Sequence, residues 1–245
     1  MDMTEKIQLN RLKFLSGSML KLIAVISMLI DHTAHIFYSE LDFLTIPLFA
    51  LAGREITVYY IMRRIGRLAF PLFCFLVAEG FVHTRNQKKY GLGLLIFALL
   101  SEIPFNLMGD GKLIDPSRQN VYFTLFLGFL LIYIFVNTKN ELLKFVLMAI
   151  VTVISMFLHA DYGMRGVLLI LLIYALRSRP AIQAVLSYPL LSGGVSAFAA
   201  FIPINMYNGQ RGFIRSNILK YLFYLFYPLH ILLLYGLKTL LQSID

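Results

Sequence analysis

Charge is what this chain has least of. Only 14% of its 245 residues are Asp, Glu, Lys or Arg, while 59% are hydrophobic. A soluble domain is about a quarter charged, and here the apolar residues come in long runs rather than at one-face spacing, which excludes an ordinary water-soluble core. Tryptophan is absent and Cys74 is the single cysteine, so an intramolecular disulfide and a cysteine-based metal site are both excluded. Also missing are a linker rich in Pro, Gly or Ser, a Gly-rich phosphate loop, a GxSxG elbow and an HExxH pair. What remains is a single integral membrane domain over residues 1–245.

Runs long enough to cross a bilayer need roughly 17 to 25 residues. They fall at Met19–Tyr38, Gly66–His83, Gly91–Met108, Gln119–Val136, Leu142–His159, Tyr162–Leu176, Ala181–Ile204 and Ile218–Leu240. The expected fold is therefore all-α, a polytopic transmembrane helical bundle of about eight spans. Phe43–Ala52 is apolar but about half a span long, which predicts a short re-entrant or interfacial helix after the first span. Pro189 and the pair Gly193–Gly194 interrupt the seventh run, so backbone freed there must face protein or a water-filled cavity.

The net charge is +9. The basic residues lie in short loops rather than one patch, so they set orientation in the bilayer instead of binding nucleic acid. With eight spans, Lys6, Arg11, Lys13, Lys21, Arg85, Lys88, Lys89, Lys139, Lys144, Arg177, Arg179 and Lys238 share one side. That side is read as cytoplasmic, with residues 1–18 as a cytoplasmic segment and both termini inside a cell (inner) membrane. No small-x-small cleavage site follows the first run, which reads as a permanent span. Arg63, Arg64 and Arg67 fall outside, against the trend, and are candidates for function.

Ionisable residues within spans are costly and count as functional candidates. Asp31, His32 and His35 close the first run; Arg67, Glu79 and His83 lie in the second, Glu102 in the third and His230 in the last. Asp31, His32, His35, Arg67, Glu102, Asn106, Asn120, His159 and Asp161 converge on the external half. Glu79 and His83 sit at the cytoplasmic end. Asp31 and His35 are spaced i, i+4 and share a helix face, whereas His32 looks about 100° away. The five histidines form no dedicated ligand set, and no metal is expected.

The ordered segments LKLIAVISMLIDH, RRIGRLAFPLFCFLVAEGFVHTRN, SEIPFNL, HADYGMRGV and KYLFYLFYPLH resemble the TraX family over most of the chain. The resemblance implies an integral membrane acetyltransferase that takes acetyl-CoA as donor, the family's named activity being N-acetylation of the pilin amino terminus. Asp31, His32, Arg64, Arg67, Glu79, His83, Glu102, Asn106, Asp161, Tyr227 and His230 match the family pattern.

Acetyl transfer needs a base and oxyanion donors. The expectations are His32 as base with Asp31 as its electrostatic partner, or Asp31 orienting His35. Asn106 or Asn120 would serve as oxyanion donor, and Arg85, Lys88 and Lys89 would meet the donor's phosphates. Arg63, Arg64 and Arg67 would hold an anionic acceptor or a lipid headgroup. The expected partners are the lipid bilayer, an amine or hydroxyl acceptor (a protein amino terminus or an envelope saccharide) and a further copy of the chain. Two other classes compete: a secondary transporter and a non-catalytic accessory protein.

Overall fold

The structure, a computed structural model, describes residues 13–243; Lys6, Arg11 and the rest of residues 1–12 lie outside the described residues. Helix α1 (Gly17–Ile36) starts at a Ser16 cap and closes with the Asp/His segment. A 3₁₀ turn (Asp42–Leu44) and a hairpin of β1 (Pro47–Leu51) and β2 (Arg54–Thr57) follow. The expected short helix at Phe43–Ala52 is therefore a correction. Leu51 pairs with Arg54 across Ala52 and Gly53, both at positive φ, as a two-residue hairpin turn requires.

Two nearly continuous helices come next, each broken by a proline in the first turn of its second half. Helix α2 (Val58–Gly66) leads into α3 (Ala69–His83), and α4 (Gln87–Leu100) leads into α5 (Glu102–Asp110). Pro71 and Pro104 are the third residues of α3 and α5. Lacking N–H groups, they cannot bond the carbonyls four residues back, and the chain restarts its helix there. The second apolar helix thus begins at Val58 rather than Gly66, which places Arg63 and Arg64 on helix.

Helices α6 (Val121–Asn137), α7 (Glu141–Phe157) and α8 (Gly163–Ala175) pack together, and α12 (Asn217–Gln242) closes the bundle. Four helices are long and apolar enough to cross a membrane: Gly17–Ile36, Val58–His83, Gln87–Asp110 and Ile218–Gln242. Val121–Asn137 and Gly163–Ala175 are apolar but shorter. Buried Val167, Leu169, Ile170 and Ile173 show that α8 is wrapped by its neighbours, so its length need not match lipid. Exposed Leu142, Phe145, Val146 and Phe157 give α7 an outward apolar face, as lipid contact demands. The apolar helices mark a membrane protein.

The seventh run does not cross once. It breaks into α9 (Pro180–Ser187), a 3₁₀ turn (Tyr188–Leu190), α10 (Val195–Phe198) and α11 (Phe201–Asn205). Gly193 lies against Arg67, near the hairpin. Leu15 N–H then donates to Met206 O at 3.0 Å and Gly17 N–H to Gln210 O at 2.8 Å, back beside the start of α1. The chain has turned round at Gly193–Gly194. Helix α12 consequently runs the opposite way from the sequence expectation, and its last turn meets Glu40: Gln242 Nε2 at 3.0 Å and Lys238 Nζ at 3.5 Å. The two ends of the described chain lie at opposite ends of the bundle, which corrects the expectation that both termini share the cytoplasmic side. The end bearing Lys21, Arg85 and Arg211 is called the basic end below, and the other the hairpin end.

Candidate functional site

The site begins with a helix that cannot close its ladder. Pro228 lies inside α12 and leaves the Tyr224 carbonyl without its usual partner. The Tyr122 hydroxyl donates to that carbonyl at 3.1 Å. Two residues on, the Phe226 carbonyl receives His230 Nδ1 at 2.7 Å. A carbonyl can only accept, so Nδ1 carries the proton and a neutral His230 presents Nε2 as an acceptor. That nitrogen lies 2.7 Å from His32 Nδ1, with the rings within 5° of parallel. His32 Nδ1 must therefore donate, and the His32 lone pair is left on Nε2. Tyr227 packs edge-on to both imidazoles, its ring centroid 5.9 Å from each. His230 is buried, whereas His32 keeps partial exposure.

Asp31 has a different partner from either one expected. Its Oδ2 accepts from Arg63 Nη1 at 2.6 Å, and its Oδ1 is buried without a partner. His35, though i+4, is exposed and makes no hydrogen bond to Asp31 among the described residues. The reason is α2, which docks on α1 with Gly66 directly over the Asp31 carboxylate; a Cβ at Gly66 would overlap it. The strong charge-assisted bond to Arg63 then outcompetes the imidazoles.

Asn106 and Asn120 also depart from the expected role. Asn120 Nδ2 donates to Ala98 O at 2.7 Å and to Glu102 Oε1, while its Oδ1 caps α6 by accepting from Tyr122 N at 3.0 Å. Glu102 Oε1 further accepts the Asn120 backbone N–H at 3.0 Å. Asn106 Nδ2 donates to Leu113 O at 3.3 Å. The Asn120 amide is committed to capping α6 and bridging a broken helix, so it is not a free oxyanion donor, whereas Asn106 makes only this one long contact. Asp161, in the turn before α8, is an exposed residue yet hemmed in by protein. That crowding pushes its carboxyl up to about 6, against the pull of Arg67 and Arg118.

Two cavities flank this centre. The larger, about 660 Å³, opens at the basic end among Lys21, His83, Arg85, Arg211 and Lys220 and runs inward past Tyr90, Tyr122 and Tyr224 to Tyr227. Glu79 lines it, and its Oε2 lies 3.2 Å from His83 Nε2. Nearby Tyr207 has its hydroxyl pushed up to about 12, by burial and by Glu79. The smaller cavity, about 500 Å³, lies at the hairpin end between Tyr59, Tyr60, Arg63, Arg64, Arg67 and Ser192–Gly194.

Of the residues expected to meet phosphates, Arg85 lines the larger cavity, while Lys88 and Lys89 are exposed on α4 outside its lining. Lys21, Arg211 and Lys220 line it beside Arg85. The eight-span count had put Arg211 on the far side, and only the turn-back brings it to this mouth.

The family model described as TraX protein matches residues 16–238. A relative in Dichelobacter nodosus named "Probable fimbrial assembly protein FimC, serogroup H1" is 30% identical over 255 residues, covering 93% of this chain and 97% of the relative. No solved structure matches. With the match spanning α1 through most of α12 and so every side chain of the site, this chain belongs to the TraX family.

Proposed function

We propose that the protein is a membrane acyltransferase that moves an acetyl group from acetyl-CoA, entering at the basic end, to an amine or hydroxyl acceptor at the hairpin end. The observation that carries this reading is the His32–His230 pair, whose neighbours reach a cavity at each end of the bundle although neither imidazole lines one. Tyr227 lines the larger cavity and packs on both imidazoles. Arg63 lines the smaller and holds the carboxylate next to His32 in the chain.

The basic end is assigned to the cytoplasm. The turn at Gly193–Gly194 adds Arg211, Arg215 and Lys220 to Lys13, Lys21, Arg85, Lys88, Lys89, Lys139, Lys144, Arg177 and Arg179 there, which sharpens the cytoplasmic bias of Lys and Arg. Lys21, Arg85, Arg211 and Lys220 at the mouth suit the donor's phosphates. The tyrosine-lined throat suits its thin apolar-and-amide arm.

His32 Nε2 takes the proton as the acceptor's nitrogen or oxygen attacks the thioester carbonyl. The new imidazolium keeps its Nδ1–H on His230 Nε2, so the charge is held by a partner whose own proton is fixed on the Phe226 carbonyl. Collapse of the tetrahedral intermediate breaks the C–S bond, and the leaving thiolate recovers the proton from His32. The D. nodosus relative's name places that protein in fimbrial assembly, so a fimbrial component is the acceptor class to try first.

The test uses the full chain in vesicles with acetyl-CoA and measures free thiol release and acetylated product. His32→Ala is expected to lower turnover by about 10²- to 10⁴-fold at unchanged expression and folding. Undiminished turnover in that variant removes the reading. Solute flux with no thioester turnover replaces it with a transporter.

A further inference from the structure

The arginine-lined cavity at the hairpin end contains more cationic donor capacity than the protein itself uses. Arg63, Arg64 and Arg67 sit at the junction of α2 and α3. Cations in a last helical turn are favoured by the helix dipole, so their presence alone assigns nothing. Their partners are more informative. Arg63 is spent on Asp31 at 2.6 Å. Arg64 lies over the Tyr60 ring, 4.8 Å from its centroid, and its Nη1 is 3.5 Å from Gly193 O. That distance is beyond the usual 2.7–3.2 Å range of an N–H···O bond, so this contact spends little of its donor capacity, the other polar neighbour being the Tyr60 hydroxyl. Arg67 makes no ion pair or side-chain hydrogen bond among the described residues. The nearest carboxylates are Asp31, already paired, and Asp161, which acts on Arg67 only at longer range.

The opposite wall is built close to these donors. A Cβ on Gly193 would fall 2.9 Å from the Arg67 Cβ and Cγ and from the Ala197 Cβ. Gly194 is at φ +57 and ψ −136, a conformation that side chains rarely adopt. The turn at Ser192–Gly194 thus presses its backbone on Arg67, leaving a pocket walled by three arginines, of which only Arg63 is ion-paired among the described residues, two tyrosines and the Ser192–Gly194 turn. Two forked donors with no carboxylate between them match a planar or tetrahedral oxyanion. The cavity is also the one Arg63 joins to Asp31, the residue preceding His32.

We propose that this cavity binds an anionic group, a carboxylate or phosphate, carried by the acceptor, with Arg64 and Arg67 as its ligands, so that the acceptor's nucleophile is presented to His32. Calling the anion part of the acceptor rests on the acyltransferase reading; the anion site itself does not. The same chemistry arises from a soluble acceptor or from a lipid headgroup, and the exposed Leu48, Phe49 and Leu51 of the neighbouring hairpin give a lipid-linked acceptor an apolar approach.

The test follows thermal unfolding of the full-length protein in neutral detergent while inorganic phosphate, acetate or dihexanoyl phosphatidic acid is titrated against matched chloride. At least one anion is expected to raise the wild-type midpoint saturably. The half-saturating concentration should rise roughly 10-fold or more in Arg67→Gln and in Arg64→Gln, with Arg67→Lys intermediate. Variants are compared only where their anion-free midpoint and gel-filtration profile match wild type, and Arg67→Lys supplies that control if a Gln variant misfolds. Saturation by phosphate or acetate points to a soluble acceptor's group; saturation by phosphatidic acid alone points to a headgroup. No midpoint rise in wild type, or an equal rise in all variants, overturns the site. Thiol release from acetyl-CoA is scored in parallel. Anion saturation without thiol release supports the site and removes the transferase reading, whereas thiol release without anion saturation overturns the site alone.

Discussion

Two polar networks are buried in this bundle, and they differ in what they leave unspent. Around Asn120, the amide donates to Ala98 O and Glu102, its oxygen caps α6, and Glu102 also accepts the Asn120 backbone N–H. The Asn120 amide and Glu102 Oε1 thus find their partners within the protein. Around His32 the chain of bonds is just as definite but runs in one direction, from His32 through His230 to the Phe226 carbonyl. A directed chain ends in a lone pair, and His32 keeps partial exposure. Both networks look alike in a sequence, as costly side chains near helix breaks. Saturation makes one a brace, and the unspent lone pair makes the other the candidate site.

Substitutions at three positions break or sharpen that contrast. The largest effect is expected from His230→Phe, which keeps a ring in place but removes the acceptor for His32 Nδ1–H. Turnover should fall by about 10²-fold, the lower range for loss of an acid–base group. His230→Gln, whose amide oxygen can accept the same proton, should recover part of the rate, and a pH–rate profile should move for Phe more than for Gln. Equal rates in both variants would show that His230 only fills space.

Next in size is Asn120→Ala. It strips a cap and a buried bridge and should destabilise the fold by about 1–3 kcal/mol, measured by thermal unfolding in detergent. The turnover of the folded fraction should stay near wild type, since these groups are saturated. A selective loss of turnover would place Asn120 back in the chemistry.

The smallest effect belongs to Asp161. Its folded carboxyl is raised to about 6 from an ordinary value of 3.8, so the folded state holds its proton more tightly than the unfolded one. The associated stability is full below the unfolded value and is lost as pH rises through the folded one. Asp161→Asn should flatten the pH dependence of the unfolding midpoint between about pH 4 and 6. A slope identical to wild type would assign it elsewhere.

The hairpin illustrates how far local sequence reaches. Phe43–Ala52 reads as a half-span helix by apolar length, yet Ala52–Gly53 followed by Arg-Glu-Ile-Thr carries the signal of a two-residue turn and a second strand. The breaks at Pro71 and Pro104 were likewise available from position alone. The return of the chain at Gly193–Gly194 was half visible: the sequence marks an interruption there but not the direction taken after it. A kinked crossing and a turn-back share the same glycines, and only contact with Arg67 on one side and with Leu15 and Gly17 on the other separates them.

The sequence by itself determined that this is a membrane protein, which residues bear the cost of burial, and that Asp31, His32 and a basic cluster would lie towards one end. Those properties follow from composition and from helical periodicity, which act over a few residues. Tertiary structure decided the partners. His32 meets His230 across 198 residues of chain and Asp31 meets Arg63 rather than His35, because helix docking, not spacing, brings a donor within reach. It also decided that Arg211 and Lys220 stand at the same mouth as Lys21, since the direction of α12 depends on where the preceding segment can pack.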